Sequence, residues 1–191
     1  ATRPDDQVLP RLRVELEASE HIYDGLPYWV VKDPLSLRYF RFSREEYFII
    51  DQIGQGVTLG ELKEAYRNLR NEMMRKFERH VSFGDLISDR WETAKAYGFG
   101  EESSCYDNVL IKGEVSVGRH TWIGPNCILD GVGGLTIGDF CSVSAGVQIY
   151  THDTVNWSIS LGAEPEDQAP VTIGNGVYLG PNAVVEKGVT I

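Results

Sequence analysis

The chain has 191 residues, 42% of them apolar, and a formal net charge of −10. That length can bury a sizeable core in one large domain or two small ones. The acidic balance argues against nucleic-acid binding, which needs a basic field to replace the counterions of phosphate. The cysteines Cys105, Cys127 and Cys141 lack metal-site spacing and are expected to be buried and reduced. No apolar run reaches membrane-spanning length and no signal-peptide pattern is found, so we expect a cytoplasmic protein that binds no membrane.

Residues 1–68 are predicted to form a small α+β module. Aromatic and β-branched runs such as PYWVVKD and LRYFRFS alternate with turn residues and predict short strands. Capping boxes then predict two helices, with Ser43 three residues before Glu46 and Thr58 three residues before Glu61. This order indicates a winged-helix-like unit, and PYWVVKDPLSLRYFRFSREEYFII resembles the small peptide-binding domains of the PqqD type. The resemblance implies an interaction module with a peptide or protein partner; an oligomerisation domain is the open alternative.

Residues 69–98 are predicted to be a helical connector. Apolar residues recur at three- and four-residue spacing in LKEAYRNLRNEMMRKFERHV, and a shorter helix ending at glycine follows in SFGDLISDRWETAKAYGFG. Glutamates alternate with the lysines and arginines of the first segment, which is typical of a solvated helix face. We expect these helices to cap the start of the following domain.

Residues 99–191 repeat with a period of six. The aliphatic residues that occupy the first position of successive hexads are Ile111, Val117, Ile123, Leu129, Ile137, Val143, Ile149, Ile173, Leu179, Val185 and Ile191. Small or branched residues take the fifth position, and glycine often takes the second. Such a pattern predicts a triangular coil in which one branched residue per short strand points to the axis and glycine occupies the corner. Three hexads make one turn, and successive turns stack at the spacing of β-strands.

The stretches VSVGRHTWIGPNCILDGVGGLTIGDFCSVSAGVQIYTHDT and VTIGNGVYLGPNAVVEKGVTI resemble the hexapeptide-repeat acyltransferases. The resemblance covers residues 99–191, extends toward residue 70, and implies a left-handed parallel β-helix. The fold class that we predict is therefore mainly β: a left-handed parallel β-helix with a helical N-terminal cap, preceded by the winged-helix-like module. Ile191 opens a new hexad, so we expect the coil to be truncated at its C-terminal end.

The repeat is interrupted twice at one corner of the coil. If faces A, B and C begin at Val117, Ile123 and Leu129, the glycine-rich DGVGG lengthens the step from face C to face A, and one turn later residues 153–170 interrupt the same step. A long segment inside a compact domain, without evident secondary structure, is usually functional or disordered. We therefore expect a functional loop that leaves the coil directly above DGVGG, with His152 at its base.

An imidazole at the loop base is suited to accept a proton near neutral pH. The family resemblance implies that the histidine in IYTHDT, His152, is the general base. Asp153 is predicted to orient the ring, with Asp130 and Asn126 as alternative partners. Asn126, Asp130 and Trp157 are also candidate acceptor-binding residues.

The family resemblance also implies the acyl donor and the oligomeric state. It implies acetyl-CoA as donor, bound between the coils of a homotrimer, with Tyr178, Gly180 and Pro181 matching part of the donor groove. We expect no metal, since the γ-class carbonic anhydrases hold theirs with three histidines. Only His120 and His152 lie in the repeat, at different corners, and a third ligand from a neighbouring subunit stays open.

These features predict an acyltransferase that acetylates the hydroxyl or amino group of a small acceptor. A sugar is the favoured acceptor class. A non-catalytic trimeric β-helix that serves as a scaffold for a peptide-binding N-terminal module is the alternative. Acyl transfer that depends on His152 distinguishes the two.

Overall fold

The computed structural model describes residues 4–9, 12, 15–23 and 26–191. Residues 1–3, 10–11, 13–14 and 24–25 of the predicted 1–68 module lie outside these residues. The chain divides into two compact units, Ala1–Ser88 and Asp89–Ile191. In the described ranges, no helix has both the length and the apolar character that are needed to cross a membrane.

The first unit is a three-stranded antiparallel sheet, in the order β1-β2-β3, followed by three helices. Its elements are a short 3₁₀ turn (Pro4–Asp6), β1 (Glu17–Tyr23), β2 (Leu26–Asp33), β3 (Arg38–Phe42), α1 (Arg44–Gly54), α2 (Leu59–Phe77) and α3 (Phe83–Ile87). Both predicted capping boxes are confirmed: the side chains of Ser43 and Thr58 accept from the backbone N–H three residues on, and Glu46 and Glu61 accept from the cap N–H groups.

Aromatic contacts join the elements of the first unit. Trp29 of β2 stacks on Tyr47 of α1 with ring centroids 3.9 Å apart. Phe83 of α3 meets Phe48 and Tyr66 edge to face, which ties α3 to α1 and α2. Aromatic pairs of this kind add to the free energy gained from burial alone.

The second unit begins with α4 (Arg90–Ala96) and continues as a coil of parallel strands. Its strands and remaining helix are β4 (Ser104–Cys105), β5 (Leu110–Val117), β6 (Trp122–Ile123), β7 (Ile128–Ile137), β8 (Ser142–Val143), β9 (Gln148–Ile149), β10 (His152–Asp153), α5 (Val155–Ile159), β11 (Asp167–Gln168), β12 (Val171–Ile173), β13 (Tyr178–Leu179) and β14 (Val184–Val185).

The strands stack face upon face as the hexads predict. Face B is the parallel sheet β4-β6-β8-β13, while faces C and A share the sheet of β5, β7, β9, β12 and β14 because β5 and β7 run around their common corner. The first-position residues from Val117 to Val185 are all buried, Ile111 is partly buried and Ile191 is exposed. Ala94 and Phe99 pack into the same core. The axial row of aliphatic side chains is therefore the core of this unit.

Side-chain donors at the fifth position join neighbouring coils. Ser103, Thr121 and Cys141 occupy equivalent places, and each lies within hydrogen-bonding reach of a carbonyl of the next coil: those of Gly118, Gly138 and Gly174. The cysteines are free and buried. Burial raises the pKa of the Cys127 thiol, which favours its neutral form.

The interruption of the repeat is more ordered than the sequence indicated. Residues 153–170 were expected to have no secondary structure, but β10 and β11 pair antiparallel at the base and α5 follows β10. The helix begins without a side-chain cap and buries none of its residues, so its residues carry little of the usual periodicity signal.

The corner glycines allow close contact between coils, and this predicts the effect of Gly124→Ala. A Cβ at Gly124 would lie 2.8 Å from the backbone nitrogen of Ala145, whereas at the equivalent Gly180 the nearest atom of this chain is 3.9 Å away. We expect Gly124→Ala to lower the free energy of unfolding of the 191-residue chain by about 1–3 kcal/mol, measured by denaturant titration. Gly180→Ala is the control and should change it little; equal losses would contradict the close packing at Gly124.

Candidate functional site

The interruption leaves the coil at the corner between faces C and A, which we call the loop corner (residues 130–134 with residues 151 and 169 above them). The backbone N–H of Gly133 donates to the hydroxyl of Thr151 at 2.8 Å, and that of Ala169 donates to the carbonyl of Thr151 at 2.9 Å. Thr151 is fully buried. Both ends of residues 153–170 therefore stand directly above the glycines of DGVGG, as the hexad count predicted.

The Asp130 carboxylate is the centre of the loop corner. One oxygen accepts from the backbone N–H of Val132 at 3.1 Å, and the other accepts from the N–H of Thr151 at 3.0 Å and lies 2.5 Å from Nδ1 of His152. The Asp130 side chain is 1% exposed. The hydrogen bonds of one buried carboxylate thus connect two successive coils and the histidine.

The environment of Asp130 favours its charged form. Burial by itself raises the pKa of this carboxyl, but the N–H groups of Thr151 and Val132 together with His152 outweigh it, and the pKa is lowered. Hydrogen bonds that stabilise a carboxylate favour ionisation in this way. Asp130 is therefore an acceptor, and no proton of its own is available for the contact with the ring.

This contact determines how the His152 ring is protonated. An ionised carboxylate only accepts hydrogen bonds, so in the neutral imidazole the proton lies on Nδ1 and the lone pair on Nε2. The histidine side chain is 23% exposed. His152 thus combines a fixed ring orientation with a basic nitrogen turned away from the buried carboxylate.

Asp153, which was predicted to orient the ring, has other partners. Its carboxylate accepts from the backbone N–H of Val155 and pairs with Lys187. The lysine hydrogen bond is the largest cause of the lowered pKa of Asp153. Of the two aspartates, it is Asp130, the alternative partner, that contacts the imidazole.

Among the other predicted site residues, Asn126 lies at the corner between faces B and C, where its side chain pairs with Asn108. Trp157 lies in α5 and is 54% exposed. Tyr178 is exposed on β13, and Gly180 and Pro181 follow it. Pro181 lies in the same column of stacked coils as Pro125, which is next to Asn126. Asn126, Tyr178, Gly180 and Pro181 therefore lie away from the loop corner of their own chain.

His120 lies apart from His152 and has a packing contact. Its φ is 53°, at the corner between faces A and B, and its ring stacks on Phe140 with centroids 4.7 Å apart. Within the described part of the chain, no group of three or more histidine, cysteine or acidic side chains is arranged to hold a metal ion.

Sequence reasoning missed two residues, Thr151 in the loop corner and Lys187 beside it. Thr151 immediately precedes His152, and its buried hydroxyl accepts from Gly133. Lys187 lies in a later hexad, yet it reaches both Asp153 and Asp167. The available signal for Lys187 was charge: residues 153–170 contain acidic residues and no lysine or arginine, so a basic partner within this chain lies outside that segment.

Comparisons with known proteins concern mainly the coil. Residues 114–151 and 170–191 match the family model described as the hexapeptide repeat of succinyl-transferase. Nodulation protein L of Rhizobium meliloti (strain 1021) is 36% identical over 76 residues, which are 40% of this chain and 42% of that protein. Nodulation protein L of Rhizobium leguminosarum bv. viciae is 34% identical over 76 residues, 40% of each chain. The match thus spans less than half the length of these curated relatives.

A solved structure is also similar to this chain. It is a hexapeptide-repeat containing acetyltransferase of Vibrio cholerae O1 biovar eltor, complexed with acetyl coenzyme A, at 21% identity and a TM-score of 0.47. The alignment covers 66% of this chain and 69% of that one. The family-model match confirms the predicted hexapeptide repeat over residues 114–151 and 170–191.

Proposed function

We propose that this chain is an acyl-CoA-dependent transferase in which His152 is the general base. The observation that carries the proposal is the 2.5 Å contact between Nδ1 of His152 and the buried carboxylate of Asp130. This contact leaves Nε2 basic and holds the ring at the one corner where the repeat opens. A histidine oriented by a buried carboxylate is the arrangement found where an imidazole removes a proton from a hydroxyl or amine.

In the proposed reaction, Nε2 of His152 accepts the proton of the acceptor hydroxyl or amine as its oxygen or nitrogen attacks the thioester carbonyl. The new C–O or C–N bond forms, the C–S bond breaks, and the leaving thiolate takes the proton that His152 has accepted. Asp130 stabilises the imidazolium during the transfer because its carboxylate is ionised and contacts Nδ1. Asp130 is therefore proposed to orient the ring. Asp153 is not proposed to do so, because its carboxylate binds the N–H of Val155 and the ammonium of Lys187.

The acyl donor is proposed to be acetyl-CoA, and the assembly a homotrimer with the left-handed coil of this family. Tyr178, Gly180 and Pro181 are proposed donor contacts. Since they lie on face B and its corner, away from His152 of the same chain, a trimer in which neighbouring coils meet offers a way to complete the site. Trp157 and Asn126 are proposed to contact the acceptor, for which a sugar is the favoured class.

We propose that the first unit is a winged-helix-like module that binds a peptide. Its sheet order β1-β2-β3 leaves β1 and β3 at the two edges of the described sheet, and an edge strand can pair with an extended peptide. Main-chain hydrogen bonds along such an edge provide affinity without a catalytic group.

His152→Ala should abolish acyl transfer. Loss of a general base costs about 10²–10⁴-fold in rate, so release of free thiol from acetyl-CoA, with a panel of sugars and amines, should fall to background in the variant. His120→Ala is the matched control, because that histidine holds the equivalent hexad position at another corner and stacks on Phe140. Transfer that survives His152→Ala, or wild-type protein that acylates no acceptor, would contradict the proposal and favour the scaffold alternative.

Asp130→Asn should lower kcat by about 10²-fold or more while the coil stays folded, because a neutral amide can present a donor to Nδ1 and select the wrong tautomer. The matched control is Asp139→Asn, another aspartate that accepts a backbone N–H at a corner but contacts no catalytic histidine. Steady-state kinetics and thermal unfolding of both variants give the comparison. Equal activity of the two variants would remove Asp130 from the mechanism.

A further inference from the structure

Two carboxylates of like charge face each other at the base of the loop. Asp153 of β10 and Asp167 of β11 are paired residues of the antiparallel ladder. Like charges directly opposite each other destabilise such a pair. Residues 153–170 contain no lysine or arginine that could offset the repulsion.

Lys187 supplies the missing positive charge from the next coil. It follows β14, which pairs in parallel with β9, and its ammonium donates to the carboxylates of Asp153 and, at 2.7 Å, of Asp167. The lysine side chain is 23% exposed. Hydrogen bonds to these two carboxylates raise the pKa of Lys187, and the pKa of Asp153 is lowered. Lys187 and Asp153 are therefore favoured in their charged forms at neutral pH.

The bridge lies next to the proposed base. His152 and Asp153 are the two residues of β10, and Gln168, the partner of His152 in the ladder, follows Asp167. Below the pair, Asp130 accepts from Thr151 and contacts the ring. The short segment that carries His152 is thus held from one side by Asp130 and from the other by Lys187.

We propose that Lys187 is a positioning residue for His152, because its ammonium joins the two opposed carboxylates of the β10–β11 pair and so fixes the segment that carries the histidine. This inference rests on the proposed function for its kinetic consequence. Its structural consequence, order at the loop base, does not depend on any activity.

The primary experiment compares Lys187→Met with wild type in the full 191-residue chain. Methionine keeps much of the apolar stem and removes the charge. Amide hydrogen exchange at Ala169, whose N–H donates to Thr151, should become about three- to tenfold faster, as expected for loss of a partly exposed ionic contact. In acyl-transfer assays, kcat should fall by a similar factor with little change in the KM for acetyl-CoA. Lys95→Met, an exposed lysine of α4, is the control and should leave both measurements unchanged.

Two further variants distinguish charge bridging from packing of the lysine stem. Lys187→Arg keeps the positive charge, so hydrogen exchange at Ala169 and kcat should stay close to their wild-type values. Asp167→Asn should speed exchange in the wild-type background, where it removes a partner, but slow it in Lys187→Met, where it removes repulsion. This reversal of sign is not expected if Lys187 contributes only apolar contacts.

The outcomes separate this inference from the proposed function. Unchanged exchange in Lys187→Met, or equal effects of Asp167→Asn in both backgrounds, overturns the role of Lys187 even if His152→Ala is inactive. Faster exchange with the predicted sign reversal supports the bridge even if no acceptor is acylated by wild type, in which case the proposed function alone fails. Faster exchange with unchanged kcat overturns the positioning role.

Discussion

The buried carboxylate of Asp130 is the interaction on which the loop corner depends. It accepts from Val132 in its own coil and from Thr151 in the next, and contacts the ring of His152. Left without these partners, a carboxylate 1% exposed would carry a large desolvation cost. Because the partners come from two coils and one side chain, the charge, the stacking and the orientation of the imidazole are coupled.

The remainder of the second unit provides a rigid frame for that corner. Aliphatic residues fill the axis, and hydroxyl or thiol groups at equivalent corners reach carbonyls of the next coil. In the described residues, every buried side-chain nitrogen or oxygen has a hydrogen-bond partner. Hydrogen bonding of all buried polar side-chain atoms is typical of a native protein interior. A short segment inserted between two such coils is held at both ends, which suits a group that has to stay in one orientation.

Much of this frame could be predicted from the sequence, since a period of six reports burial directly: first-position residues such as Leu129 and Ile149 are fully buried. Counting hexads also placed the interruption above DGVGG. The sequence could not decide between Asp130 and Asp153 as the partner of His152. The side chains of His152 and Asp153 point apart because both residues belong to strand β10, and this strand was not predicted. Lys187 lay outside any local pattern, as it meets Asp153 only through stacking of coils.

Asp130 keeps the proton of the neutral His152 ring on Nδ1 and leaves Nε2 basic. Long-range ¹⁵N–¹H correlation of the imidazole, on the free protein at a pH where the ring is neutral, measures the tautomer directly. We expect the Nδ1–H form in wild type. Predominance of the Nε2–H form in wild type would show that Asp130 does not set the tautomer of the ring.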